Sequence, residues 1–361
     1  MKRLARRSSS GSRLVAAPMR LFLETLILAA ICASPARPAH SAAPLIKFEQ
    51  IEGGRAARIV GAQIGLWIQS NDLAKAKEAI DIAVVSKERL KDGKWVLGEL
   101  FNGYGEWLVT QTSWDEPLAK IREWRIAEPT NADAALIEAT YWVTYAWFAR
   151  GGEFASNVPA RAWEIAGDRM AKARAVLEEC KSYASDNPVW YSQMLSVALF
   201  QSWPRSAQMA LFNEAVKAEP YYYATYFIIA TSLLPRWGGS LADYHQFVKA
   251  AVNKTKPIDC ETMYARLYWA LSQGEWDKDP FKDLRIPWKS MKAGFDDLMK
   301  RYPDSQWNLH HYAFFACRAN DGKTFNKLQP NLDVQKIHRM PPIWNQAYTL
   351  DYCIERFVGH N

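Results

Sequence analysis

Motifs for nucleotide binding, for serine nucleophiles and for β-strands are missing or nearly so from this sequence of 361 residues. It has no glycine-rich nucleotide loop, no Gly-x-Ser-x-Gly motif, and no Ser-x-x-Lys motif beside the partners that such enzymes carry. No run of alternating apolar and polar residues is bounded by Asn-Gly or Asp-Gly. These absences disfavour a nucleotide-dependent enzyme, a serine hydrolase and a protein built on a β-sheet.

The first 43 residues have the composition of an export signal. Basic residues up to Arg20 precede an apolar run, Leu21 to Ala33, which is broken by two residues only. This run is shorter than the roughly 20 residues that a membrane-spanning helix needs. Ser41-Ala42-Ala43 resembles a cleavage site, and a start at Met19 would make the signal more compact. We therefore predict a signal peptide over residues 1–43 and a periplasmic or secreted protein.

The chain beyond this segment carries almost no net charge. Residues 1–43 hold seven of the 45 Lys and Arg residues but one of the 38 Asp and Glu residues, so the remaining chain is nearly neutral. Nucleic-acid binding needs basic residues gathered on one face, and no such stripe is present. We expect no nucleic-acid partner, and no stable membrane insertion once the signal is removed.

Four cysteines follow the predicted signal: Cys180, Cys260, Cys317 and Cys353. Their spacings match no metal motif. In an oxidising compartment they can pair in three ways, or they can remain as buried thiols. The sequence leaves these alternatives open, and we expect no cofactor.

Helical periodicity extends through the rest of the chain. Between Asn131 and Arg150, apolar residues recur at helical spacing and predict one continuous apolar stripe. Four short connectors containing proline precede aromatic-rich segments and predict a break between paired helices. These connectors lie at residues 127–131, 185–190, 218–221 and 301–307.

Two longer stretches, Gly151 to Ala160 and Gln273 to Pro287, predict loops inserted within helical hairpins. The first of them suggests a division into N-terminal hairpins over residues 44–150 and a C-terminal domain over residues 151–361. A single continuous solenoid over residues 44–361 is the alternative.

Residues 71–83 place small Ala76, larger Ile80 and small Ala83 where two helices of a hairpin would cross closely. This pattern resembles the second helix of a tetratricopeptide (TPR) repeat. The interval of 32 residues from Pro188 to Pro220 is close to the roughly 34 residues of a TPR unit. The resemblance implies stacked helical hairpins.

Several motifs also stand out between residues 220 and 331. They are Leu234-Pro235-Arg236-Trp237-Gly238-Gly239-Ser240, Tyr302-Pro303-Asp304-Ser305-Gln306-Trp307-Asn308, Phe314-Phe315-Ala316-Cys317 and Asn320-Asp321. Together they resemble an exported bacterial family that is described only as a domain of unknown function. Members of that family are TPR-like, so the resemblance implies a fold and no activity.

The Trp237-Gly238-Gly239-Ser240 motif predicts a tight corner between helices, with Ser240 as the helix cap. An Arg beside an indole can hold a carboxylate while covering apolar surface, which makes this corner a candidate rim of a ligand groove. First helices of TPR hairpins line such a groove. The predicted groove residues are Tyr222, Tyr226, Arg236, Trp237, Asn308 and His311.

Catalytic and metal-binding patterns are weak by comparison. His310 and His311 are adjacent, so on a helix their rings diverge by about 100°, and no metal site is predicted. Glycan hydrolases need two carboxylates across a cleft. The nearest pairs are Asp296 with Asp297 and Asp277 with Asp279.

We therefore expect an all-α, TPR-like superhelix of about ten or eleven helices. The predicted function is a protein- or peptide-binding scaffold of the bacterial cell envelope without catalysis. The alternative is an α/α-toroid enzyme acting on glycans, which the abundance of tryptophan would suit.

Overall fold

The computed structural model of the protein describes residues 51–53, 55–333, 335, 343–344 and 348–358. The predicted signal over residues 1–43 lies outside these residues. Fifteen α-helices occur in the described part of the chain, and no residue there lies in a β-strand. The helices are Arg55–Gln69 (α1), Leu73–Ser86 (α2), Val96–Leu108 (α3), Asp115–Ala127 (α4), Ala132–Arg150 (α5), Ala160–Ala184 (α6), Val189–Phe200 (α7), Arg205–Ala218 (α8), Ala224–Ser232 (α9), Leu241–Asp259 (α10), Thr262–Gly274 (α11), Trp288–Arg301 (α12), Gln306–Arg318 (α13), Gly322–Leu328 (α14) and Leu350–Phe357 (α15).

The predicted all-α superhelix is thus confirmed, with more helices than the ten or eleven expected. Each of the four predicted connectors separates two helices. At the first of them, the Asn131 side chain caps α5 by accepting from the amides of Asp133 and Ala134. At the fourth, Ser305 caps α13 in the same way through the amide of Asn308. One helix ends and the next begins where proline and capping residues favour it.

The helices form two layers that differ in burial. The inner helices α3, α5, α7, α9, α11 and α13 bury most of their side chains. From α3 to α11 each packs beside the next, and Trp269 of α11 contacts Trp307 of α13. The outer helices α2, α4, α6, α8, α10 and α12 bury one face only. The inner helices are therefore the core of the superhelix, and the outer helices cover it.

Burial of α5 exceeds what its sequence predicts. We expected one apolar stripe, but residues on every side of this helix are buried, including Asp133, Glu138 and Thr144. Packing against α3, α6 and α7 accounts for this burial. A helix enclosed on all sides belongs to the interior, so the inner helices do not present the open, aromatic-rich surface expected of first helices.

Small residues permit the closest helix approaches, as the pattern at residues 71–83 suggested for α2. A methyl group on Gly61 of α1 would lie 2.2 Å from the backbone of Gly103 in α3. One on Gly294 of α12 would lie 2.5 Å from the backbone nitrogen of Ala265 in α11. These contacts bring backbones together at distances that no larger side chain allows.

Both predicted insertions are loops between an inner and an outer helix. Residues 151–159 join α5 to α6 and contain a short 3-10 helix, Ala155–Asn157. Residues 275–287 join α11 to α12. The division proposed at residue 150 falls between α5 and α6, which pack against each other.

Both of the cysteine states left open by the sequence, a disulfide and a buried thiol, are present, together with an exposed thiol that was not expected. Cys317 of α13 and Cys353 of α15 form a disulfide, whereas Cys180 is a buried thiol and Cys260 an exposed one. The disulfide attaches α15 to the inner layer. Within the described residues, no helix has the length and apolar character needed to cross a membrane.

Candidate functional site

Three of the six predicted groove residues, Tyr222, Asn308 and His311, lie where the inner helices begin. They surround residues 88–96, which we call the inserted segment. Tyr222 packs edge-on against Trp95, with 5.4 Å between ring centroids, and Asn308 Nδ2 donates to the carbonyl of Asp92 at 3.2 Å. All three predicted residues are buried. At this end of the molecule the chain itself occupies the space that a ligand groove would need.

His311 lies among aromatic rings in this region. Its ring is 3.6 Å from that of Trp269 and 4.5 Å from that of Trp307, measured between centroids. Burial lowers the pKa of His311 well below its usual range, so the ring is neutral. Its Nδ1 lies 2.8 Å from the carbonyl oxygen of Trp307, which orients the ring as a core residue.

The inserted segment is held by buried charges. Lys94 Nζ lies 3.3 Å from a carboxylate oxygen of Asp92 and donates to the carbonyl of Gly53 at 2.9 Å. Burial opposes the charge on Lys94, but Asp92 and Glu99 together raise its pKa. Nearby, Glu52 accepts from Ser305 Oγ at 2.8 Å. These bonds fasten the first described residues to α13 and give the network a structural role.

Glu99 is the least satisfied group of this network. It is buried in α3, and its Oε2 has no hydrogen-bond partner among the described residues. Burial raises the pKa of Glu99 to about 8, although Lys94 opposes the shift. The cavity between α3, α5, α7 and α9 is lined by Asn102 but not by Glu99, and its volume of about 70 Å³ is room for water rather than for a substrate.

Arg89 and Asp259 form a second buried charged group beside the inserted segment. The Arg89 guanidinium lies 3.4 Å from the centre of the Trp95 ring. Burial lowers the pKa of Arg89 to about 9, and burial raises the pKa of Asp259 to about 7. The two side chains attract each other but form no direct salt bridge. This pair couples the inserted segment to the end of α10.

Tyr226, the fourth predicted residue, belongs to the core. Its ring packs edge-on against Phe212 of α8 with centroids 5.0 Å apart, and its hydroxyl donates to the carbonyl of Pro220 at 2.9 Å. Of the three consecutive tyrosines that open this region, Tyr221 is half-buried, whereas Tyr222 and Tyr223 are buried.

Arg236 and Trp237 lie at the opposite end, where the inner helices terminate. The predicted corner is present: Gly238 has φ +79°, and a methyl group on Gly239 would lie 2.1 Å from the carbonyl oxygen of Leu233. Ser240 caps α10 through the amide of Asp243 at 3.1 Å. The Arg236 side chain is exposed and Trp237 is half-buried. The corner therefore presents both residues near the surface.

Trp237 rests on the inner layer, edge-on to Trp147 of α5 with ring centroids 5.9 Å apart. Arg150, at the end of α5, donates to the carbonyls of Gly151 and Glu153 and so holds the first inserted loop.

The second inserted loop lies near Arg236: burial lowers the pKa of this guanidinium, and Glu275 and Asp277 of the loop oppose the shift. Both inserted loops thus flank this corner.

Exposed aromatic residues occur on both loops that flank the corner and near the end of α5. Phe154 of the first loop is 67% exposed, Trp276 of the second is 65% exposed, and Phe148 near the end of α5 is 41% exposed. We call these three residues, together with Arg236 and Trp237, the loop face. The sequence predicted Arg236 and Trp237, but it carried no local signal for the other three members.

A second accessible feature lies near the start of α5 and has a volume of about 570 Å³. Its walls come from α2, from the connector before α5, and from the end of α6 with the connector that follows it. We call it the acidic cleft, and its charged and aromatic lining residues are Lys77, Asp81, Glu128, Asp133, Tyr183 and Asp186. None of these residues was predicted from the sequence as part of a site.

The carboxylate pairs considered for glycan hydrolysis have other partners. Asp296 accepts from the hydroxyl of Tyr312 at 2.6 Å, and Asp297 accepts from the amide of Glu261 at 3.0 Å. Asp279 shapes its own loop by accepting from the amide of Phe281 at 2.9 Å. Among the described residues, no three His, Cys, Asp or Glu side chains converge to hold a metal ion.

The loop face and the acidic cleft are thus the two accessible features that chemistry singles out. Comparison of the chain with protein-family models, with curated proteins and with solved structures gives no match.

Proposed function

We propose that this protein is a recognition scaffold that binds another protein through the loop face. The observation that carries the proposal is the exposure of Phe154 and Trp276 on the two loops that flank Arg236 and Trp237, with Phe148 also exposed near the end of α5. Folding alone offers no reason to expose three large aromatic side chains at one end of the molecule. Clustered exposed apolar groups are typical of interaction sites.

The composition of the loop face matches that of binding hot spots. Trp, Phe and Arg are enriched at protein interfaces, and Trp and Arg dominate their energetics. Arg236 would place a positive charge beside these apolar groups, which suits a partner carboxylate. Trp276 and Phe154 would supply apolar area on loops that Arg150 and Asp279 hold in place. The chemistry therefore favours a partner surface that carries both apolar groups and a carboxylate.

Scaffolding in the cell envelope follows from the predicted signal over residues 1–43. The buried inner helices support this interpretation, because their burial leaves recognition to the ends and outer surfaces of the superhelix. A partner exported to the same compartment is expected.

The test is co-purification of the tagged protein from the native envelope, with bound proteins identified by mass spectrometry. Trp276→Ala is the diagnostic variant, since its side chain is 65% exposed and its loss leaves the core intact. Val85→Ala is the matched control, because Val85 is 83% exposed on α2. A hot-spot tryptophan contributes about 2 kcal/mol or more, which corresponds to at least about 30-fold in affinity.

We expect one reproducible partner with the wild-type protein and with Val85→Ala, and a strongly reduced yield with Trp276→Ala. Full recovery of that partner by both Trp276→Ala and Arg236→Ala would refute binding through the loop face. Recovery of glycan fragments without any protein partner would instead favour the glycan-enzyme alternative.

A further inference from the structure

The acidic cleft concentrates negative charge on a chain that is nearly neutral beyond residue 43. Four carboxylates, those of Asp81, Glu128, Asp133 and Asp186, line it together with one ammonium group, that of Lys77. Lys77 Nζ lies 2.5 Å from Asp81 Oδ2, so this pair is internally balanced. The remaining three carboxylates leave the lining with a negative excess. A cationic ligand is therefore the electrostatic complement of the cleft.

Asp133 is the group that most needs such a ligand. Only 5% of this residue is exposed, and that remaining exposure is to the cleft that it lines. Its carboxylate makes no hydrogen bond and no salt bridge with any described residue, although its own backbone amide is bonded to the Asn131 side chain. A carboxylate that keeps so little contact with water and has no hydrogen-bond donor is costly. An ammonium group entering the cleft would supply the donor and the charge.

The arrangement of the carboxylates selects among cations. They do not converge, because no three acidic, His or Cys side chains in the described chain could share one metal ion. The carboxylates come instead from three separate parts of the wall. Val84, Pro129 and the ring of Tyr183 line the same cleft and offer apolar surface. Separated negative groups in a cleft with apolar surface fit ammonium groups that are joined by methylene chains.

We propose that the acidic cleft binds an extended alkylammonium cation, with one ammonium group on Asp133 and others on Glu128 and Asp186. Glu128 is positioned for this by the Asn131 side chain, which donates to its Oε2 at 2.7 Å. The Tyr183 hydroxyl donates to the carbonyl of Pro129 at 3.3 Å, which directs the aromatic ring along the wall. The same chemistry occurs in a free polyamine and in the lysine side chains of a peptide.

The raised pKa of Asp133 agrees with this assignment. Burial raises the pKa of Asp133 to about 7, with a further increase from Asp81 and an opposing effect from Lys77. Charge on this carboxylate is thus unfavourable without a counter-ion in the cleft. A bound ammonium group would remove that penalty.

The experiment is calorimetric titration of the purified protein with spermidine and, separately, with tetralysine, at constant ionic strength. We expect saturable 1:1 binding of at least one probe. Asp133→Asn, which keeps the shape of the side chain, should weaken it about tenfold or more. Asp115→Asn is the matched control, because Asp115 also lies in the first turn of a helix but is exposed. The control should bind as the wild type does.

Lys77→Met gives a test with the opposite sign. Lys77 is an exposed cation at the rim, with a side chain 43% accessible, and its removal should tighten binding of the same probe. This variant remains informative if Asp133→Asn does not fold.

Three results would overturn the proposal: no saturable binding of either probe, equal weakening by Asp133→Asn and Asp115→Asn, or equally effective displacement by magnesium at matched ionic strength. Binding of tetralysine alone would identify a peptide as the source, and binding of spermidine alone a polyamine. Neither outcome depends on the loop face, so this site and the proposed partner surface can fail separately.

Discussion

Alanine in place of Gly61 would put a methyl group where α1 and α3 touch. That methyl carbon would lie 2.2 Å from the backbone carbon of Gly103, whereas ordinary contacts begin at 3.4 Å. The obstructing atoms belong to the backbone, so no side-chain rotation relieves the overlap. The two helices would have to separate by about 1.2 Å at this point, and their neighbouring contacts would loosen.

The expected cost follows from two opposing effects. Overpacking a core contact destabilises a protein by about 1–3 kcal/mol, and a backbone obstruction belongs at the upper end of that range. Replacing a helical glycine by alanine stabilises the helix by about 1 kcal/mol, because alanine has the higher helix propensity. The Gly61→Ala variant should therefore lose about 2 kcal/mol of unfolding free energy.

Gly167 provides a control with the same chemical change. A methyl group on Gly167 in the middle of α6 would meet no atom within 4 Å, so Gly167→Ala should gain about 1 kcal/mol. Urea unfolding followed by circular dichroism would measure both variants. A Gly61→Ala variant as stable as Gly167→Ala would show that α1 and α3 are not in contact as described.

Two further predictions concern the disulfide and Glu99. Cys353→Ala removes a link between residues 36 apart in sequence, which should lower stability by up to about 4 kcal/mol. Thermal unfolding of the wild type and the variant, each with and without reductant, would measure this loss. A variant whose unfolding midpoint still depends on reductant would contradict the Cys317–Cys353 pairing. Burial raises the pKa of Glu99 from 4.5 to about 8, so the folded state retains a proton that the unfolded state has lost. Stability should consequently fall by roughly 3–5 kcal/mol as pH rises from about 5 to about 9, and Glu99→Gln should flatten this dependence. Parallel stability curves for the two proteins in urea titrations would exclude Glu99 as the cause.

Features set by local chemistry could be predicted from the sequence. The connectors around Pro129 and Pro188 end one helix and begin the next, because proline and the caps beside it act within a few residues. The Gly238-Gly239 corner was predicted for the same reason. Local chemistry is therefore sufficient to predict the all-α fold.

Features set by distant segments could not be predicted. Tyr222, Asn308 and His311 look like groove residues in the sequence, because aromatic and polar side chains on first helices commonly face a ligand. They are buried because residues 88–96 fold against them, and nothing near positions 222 or 308 signals that contact.

The acidic cleft could not be predicted for the same reason, because distant segments form it. Asp81, Asp133 and Asp186 are about fifty residues apart and belong to separate hairpins, so they approach one another only when the hairpins stack. Periodicity within one helix carries no information about such a cluster.

The inserted segment also has a consequence for the time course of folding. Asp92 and its partner Asn308 are 216 residues apart in sequence, a length that a ribosome adds in about 10–40 s. Until α13 has been made, the first hairpins can form their helices but cannot close the network around Lys94. Contacts of such long sequence separation also slow the final step after synthesis. The N-terminal hairpins should therefore remain open to proteases or chaperones until about the last sixth of the chain, which begins with α13, is available to complete them.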